Sequence, residues 1–201
     1  MKKILFLMGL VLIAVATTGV YQMTQQADIF YYKGHDLFAK GQYKDSIPFF
    51  SKSLTYDPVR TRTLSELAYA YLWSGQDQEA IKVFQKMLSL DPRNMRTKKS
   101  LASAYSWNNE YAKAEAIFLE AIRADPNDRE AKKELAEIYL WDTQFGKAKD
   151  ILMTLLNADP GDAKAKFLYG KALLYSGQTK EAIRIFEELL KGSRPVAKGG
   201  V

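Results

Sequence analysis

His35 is the only histidine in the chain, and there is no cysteine. One imidazole without a second histidine or a thiolate does not make a structural or catalytic metal set. Without cysteine there is also no thiol nucleophile and no disulfide framework. His35 therefore reads as a surface or packing residue rather than a catalyst. The acidic pair Glu187-Glu188 sits in a polar stretch, with nothing around it that would set up a general acid. No glycine loop of the phosphate-cradling kind is present; Lys198-Gly199-Gly200 belongs to a tail. The basic run RNMRTKK, Arg93–Lys99, could touch nucleic acid, but no reader motif accompanies it. The expectation is a protein without catalytic residues, metal, cofactor or nucleic-acid partner.

The residues that do recur with regular spacing are aromatic. Trp73, Trp107 and Trp141 are the three tryptophans, each 34 residues from the next, and one more step reaches Tyr175. The same step relates Asp57-Pro58, Asp91-Pro92, Asp125-Pro126 and Asp159-Pro160. That frame divides the chain into five units: 27–60, 61–94, 95–128, 129–162 and 163–196. Residues 1–26 form an N-terminal segment and residues 197–201 a tail.

Each unit reads as two helices. In the second, Leu64, Leu67, Ala68 and Tyr71 are spaced i, i+3, i+4, i+7, one face of a helix. A second apolar face follows at Ala80, Ile81, Phe84, Met87 and Leu88. Between them lie breaks rich in Gly and Asn: AKGQY, WSGQD, WNNEY, WDTQF and YSGQT. Asp-Pro ends each pair, because the residue before proline is disfavoured in the helical region, and proline suits the start of the next helix. The predicted fold is all-α.

The pattern resembles the tetratricopeptide repeat. Unit position 8 holds Gly34, Ala68, Ala102, Ala136 and Gly170; position 20 holds Ser46, Ala80, Ala114, Ala148 and Ala182; position 24 holds Phe50, Phe84, Phe118, Leu152 and Phe186. Departures are Lys98, Lys132 and Lys166 at position 4, Pro195 one place late, and Pro48 inside a second helix, where it should cause a slight bend. At position 4 a lysine can lay its stem on the core and keep its ammonium wet. The resemblance implies an α-solenoid of five tandem repeats in a right-handed superhelix, with first helices lining a concave groove. It also implies a binding scaffold rather than an enzyme. The lysine and asparagine clamp with which some members hold a carboxylate is not carried over, since Tyr31, His35 and Tyr69 stand at corresponding places.

Position 13, where the tryptophans sit, points about 170° from the apolar centre of its own helix at roughly 100° per residue. Each indole therefore either folds over the turn onto the next unit or joins an aromatic rail along the groove. The candidate groove comprises Tyr69, Trp73, Lys99, Trp107, Lys133, Trp141, Lys171 and Tyr175. Positions 2, 5 and 9 together supply six basic groups (Arg62, Arg96, Lys99, Lys133, Lys164, Lys171) and three acidic ones (Asp28, Glu130, Glu137). The excess favours an acidic or mixed protein partner. A polysaccharide stacked on the rail is the alternative. Phe186, Leu189 and Leu190 should form an exposed edge that docks a partner or a second copy.

The N-terminus carries Lys2-Lys3 and then an uncharged run, Ile4–Val20. Ala14-Val15-Ala16 matches the small-x-small pattern of signal cleavage; an uncleaved membrane tether is the other reading, the run being at the short edge of a span. Both place the repeats outside the cytoplasm, because the lysines hold the short end inside. Loss of residues 1–16 lowers the formal charge from +6 to +4. The function expected is an extracytoplasmic, periplasmic interaction scaffold of a bacterial cell envelope.

Overall fold

The computed structural model describes residues 2–192, with side chains described for 17–191. Among the described residues there are ten helices and no strand. They are α1 Lys2–Ala39, α2 Tyr43–Tyr56, α3 Thr61–Trp73, α4 Asp77–Leu90, α5 Met95–Trp107, α6 Tyr111–Ala124, α7 Arg129–Trp141, α8 Phe145–Ala158, α9 Ala163–Tyr175 and α10 Thr179–Gly192. Every helix from α2 to α10 begins and ends at a place the 34-residue frame implies. The chain divides into two compact units, residues 1–97 and 98–201.

The joints between helices repeat in atomic detail. Position 15 is left-handed in all five repeats: Gly41, Gly75 and Gly177 with φ 76, 74 and 82°, Asn109 at 62° and Thr143 at 58°. Around it the N–H of position 16 donates to the carbonyl of position 11, as in Gln76 to Tyr71 at 2.8 Å, and the N–H of position 15 donates to position 12, as in Gly75 to Leu72 at 3.0 Å. This pair of bonds satisfies the last carbonyls of the first helix and turns the chain. At the other joint, Asp57, Asp91, Asp125 and Asp159 are C-caps with φ between −147 and −134°, the extended backbone a following proline demands. Their carboxylates accept the N–H two residues on in three of the four: Arg93, Asn127 and Gly161. Asn94, Asp128 and Asp162 then cap the next helix through Thr97, Ala131 and Ala165.

The core of each repeat is set by position 8 against position 24. Gly34 lies so close to Phe50 that an added Cβ would meet the ring at 2.8 Å, and at Gly170 the Phe186 ring would be 2.5 Å away. Ala68, Ala102 and Ala136 fill the same place and are fully buried. In the first unit Phe50 also joins Tyr31, Leu67 and Ala70 in one cluster, which Leu54 and Ile47 of α2 help to cover. Thus α2 packs on both α1 and α3, the stacking that lets repeats bury faces no single pair could bury alone. Lys98 at position 4 is mostly covered while its ammonium meets Glu120 at 2.7 Å, which matches a stem on the core and a head at the surface. α2 runs unbroken through Pro48.

Candidate functional site

In the first unit the first-helix faces meet at a polar cluster. Tyr31, fully buried, donates its hydroxyl to Glu66 Oε1 at 2.5 Å. His35 Nδ1 lies 2.8 Å from Glu66 Oε2, and its ring stacks on Tyr31 at 5.6 Å. The Arg62 guanidinium lies over the Tyr31 ring at 4.5 Å, with Arg60 behind it at 5.3 Å and paired to Asp28. Burial first, and then the Glu66 carboxylate, push the Tyr31 phenol well above its usual range, so it stays a donor. Both Glu66 oxygens are occupied by α1, which makes the cluster a joint between α1 and α3. Glu66 stands at position 6, outside the positions counted from sequence; its spacing of four from Arg62 was the available signal.

The tryptophans occupy the last residue of their helices, which answers why position 13 is aromatic. With no following turn of its own helix to cover it, the ring turns onto a neighbour. Trp73 packs backward onto the preceding repeat, with centroids 5.2 Å from Phe38, 4.9 Å from Tyr43 and 5.5 Å from Tyr69 on its own helix. In the second unit Tyr175 meets Phe145 in the same way, at 5.8 Å. In these two repeats position 13 rests on the aromatic at position 17 of the repeat before; for Trp107 that place is Asp77. Tyr43, Tyr111 and Phe145 recur at that position, a signal present in the sequence. Packing nevertheless leaves these rings open: Trp73 is 47% exposed, Trp107 44%, Trp141 43% and Tyr175 53%.

The lysines are more engaged than their number suggests. Lys99 pairs with Asp128 at 2.7 Å, and Lys133 with Glu130 at 3.0 Å and Asp162 at 3.5 Å. Lys164 lies 3.3 Å from Glu130 and Glu134 and 3.8 Å from Glu137. The hydrogen bond from Lys99 holds the Asp128 carboxyl below its usual range; the one Lys133 donates to Glu130 raises the Lys133 ammonium. Burial pushes Glu137 up. Asp128, Asp162 and Glu134 were outside the sequence count, so the excess of base along these faces is smaller than six against three. Lys171 differs, lying over Phe167 at 5.9 Å and Tyr175 at 6.0 Å.

Family models of the tetratricopeptide repeat match residues 61–94, 78–138 and 164–191. The chain belongs to the tetratricopeptide repeat family. Solved structures of similar fold include a MamA protein, 23% identical with a TM-score of 0.67, covering 88% of this chain and 98% of that one. Residues 41 to the end of MamA from Desulfovibrio magneticus RS-1 give 19% and 0.70, covering 84% and 96%. A tetratricopeptide repeat protein from Parabacteroides merdae ATCC 43184 gives 20% and 0.69, covering 84% and 67%. At such identities the likeness is one of fold. No curated protein matches the chain.

At the last of the tetratricopeptide repeats, the three residues expected at an edge part company. Phe186 is half-buried, seated against Gly170 and 5.9 Å from Phe167. Leu189 is half-buried too, whereas Leu190 is 65% exposed, and Ile183, two turns back on the same helix face, is exposed as well. Pro195 and the tail 197–201 lie outside the described residues. So do the side chains of Ile4–Ala16, including the Ala14-Val15-Ala16 pattern. Among the residues whose side chains are described, 17–191, no helix is long and apolar enough to cross a membrane.

Proposed function

We propose that this protein is a non-catalytic scaffold that holds a peptide segment or partner subunit on the first-helix faces of its repeats. One observation carries the reading: four aromatic rings at one repeat position, each about half open to water, two of them held against neighbouring rings. A ring immobilised by neighbours offers apolar area at little further entropic cost, and exposed tryptophan and tyrosine are the residue types that anchor interfaces. Lys171 over two rings adds a cation beside an apolar surface, which suits a partner carrying a carboxylate next to an apolar side chain. Ile183 and Leu190 on α10 offer a second contact, to a partner subunit or another copy.

We further infer that the scaffold works outside the cytoplasm, in a cell envelope, held at the membrane by its N-terminus. Lys2-Lys3 followed by an uncharged run supports this orientation.

Trp107→Ala tests the binding reading. Peptide and partner pull-downs are expected to lose affinity by about 1–3 kcal/mol, the range of an interface anchor. A parallel glycan array decides the polysaccharide alternative: retention of sugars, with no peptide bound, would replace the peptide reading. If melting of the free variant instead drops by about 3–5 kcal/mol, as for a fully buried indole, the ring is structural and the scaffold reading loses its anchor.

A further inference from the structure

α1 does not start where the first repeat starts. It runs without a break from Lys2 to Ala39, so only its last third belongs to the repeat. Between Lys3 and Asp28 the sequence contains no charged residue. The charge-free part, Ile4 to Ala27, measures roughly 36 Å at 1.5 Å per residue. A bilayer's hydrocarbon core is about 30 Å thick and its headgroup layers add several ångströms on each side.

The described side chains of the upper part are unusual for a helix in water. Val20 and Met23 continue, at i+3, i+7, i+11 and i+14, the stripe made lower down by Ala27, Tyr31 and Gly34, all fully covered. Yet Val20 is 64% exposed, Met23 49% and Tyr21, on the flank, 64%. The remaining positions are Thr, Gly and Gln, and two of them bond within the helix: Thr24 Oγ1 donates to the Val20 carbonyl at 2.9 Å, and Gln25 Nε2 to Tyr21 Oη at 2.6 Å. With no charge on any face, this stretch carries no group whose transfer toward lipid is prohibitive.

We propose that residues 17–26 of α1 cross the outer boundary of a lipid bilayer, from the edge of the hydrocarbon core through the headgroup layer, with Tyr21 at that boundary and water beginning at Asp28. Tyrosine is the residue type enriched at that depth. The helix then forms a stiff stalk, and repeat 1 stands on the membrane with no flexible linker between. This rests on the membrane-held reading above and gives it a depth and an occupant.

The chain has no native cysteine, so single-cysteine variants can be read without background. Full-length Tyr21→Cys and Tyr32→Cys, each carrying a polarity-sensitive dye, are reconstituted into phosphatidylcholine–phosphatidylglycerol vesicles and floated. In the floated fraction, iodide quenching at position 21 is expected to fall several-fold with an emission blue shift, while position 32, 57% exposed in the repeat, stays quenched as in detergent. Equal quenching at both positions in floated protein overturns the proposal and leaves the anchor intact. Protection at 21 that is already complete without lipid, and scales with protein concentration, assigns the stripe to a second copy and overturns it too. Protein that fails to float removes the membrane-held reading and this proposal together.

Discussion

In the first unit, neighbouring first helices are joined by a buried phenol: Tyr31 donates to Glu66 and carries His35 and Arg62 on its ring. In the second unit the residue at the same repeat position is a lysine in two of the three repeats, and the joint there is ionic: Lys99 to Asp128, Lys133 to Asp162. The backbones of the two units follow one plan, with the same left-handed turn and the same Asp-Pro cap. The difference shows that position 5 is a variable coupling on a fixed frame. A phenol gains burial of a large ring and one strong hydrogen bond to a carboxylate. A lysine contributes little burial and an ion pair that solvent and salt weaken.

The largest expected effect breaks the first kind of joint. Tyr31→Ala removes a fully buried aromatic and is expected to cost about 3–5 kcal/mol of stability, with hydrogen exchange in α1 accelerating before that in α9. Tyr31→Phe keeps the ring and deletes the donor, at a cost of about 1–3 kcal/mol from leaving Glu66 short of a partner. If Tyr31→Phe melts like the wild type, the coupling is packing alone and the contrast between the units shrinks to ring size.

Breaking the second kind should do less, and should depend on pH. Asp128→Asn keeps the N-cap bond to Ala131, since Asn caps as well as Asp, and removes only the charge facing Lys99. The pair is about a third exposed on the lysine side, so the loss at pH 7 is expected to be about 1 kcal/mol or less. Because Asp128 is depressed in the folded state, its stabilisation is present above the unfolded carboxyl pKa of about 3.9 and is lost as pH falls through that value toward the lower folded one. Wild type and variant should therefore differ at neutral pH and converge in melting temperature as pH falls below the unfolded carboxyl pKa of about 3.9 toward the lower folded one. A difference that stays constant with pH would show that the charge is irrelevant to the joint.

How much of this was readable beforehand follows from which interactions are local. The Asp-Pro steps fix caps by backbone sterics, so the helix boundaries α2 to α10 were legible, as were the small residue at position 8 and the large apolar one at position 24, though not their contact. The neighbour on which Trp73 rests was not, because periodicity within one helix gives a direction and no partner; neither the turn onto the next unit nor the groove rail named Phe38 and Tyr43 behind it. Glu66 escaped because it lies beside, not on, the counted positions, although it completes the Tyr31 joint. Asp128 and Asp162 were hidden by their other duty, as helix caps. The extension of α1 above residue 27 was invisible to the repeat frame, which has no term for what precedes it.

The smallest effect sharpens the comparison at the turns. Gly75 in the first unit and Thr143 in the second adopt the same left-handed conformation, φ 74 and 58°. Glycine does so without strain. A β-branched residue meets the following carbonyl and pays roughly 1–2 kcal/mol for it. Thr143 persists because the turn is over-determined: Gln144 N–H to the Tyr139 carbonyl at 2.8 Å and Asp142 N–H to Ile138 at 2.8 Å hold it from both sides. Thr143→Gly should release that strain, while the freer unfolded chain returns about 0.5–1 kcal/mol of it. The net gain expected is about 0.5 kcal/mol, a rise in melting temperature on the order of 1–2 °C. Gly75→Thr, the reverse change in the first unit, should lower it by a similar or larger amount. If Thr143→Gly instead destabilises, the threonine side chain makes a contribution in its turn that offsets the strain, and the two turns are equivalent in backbone only.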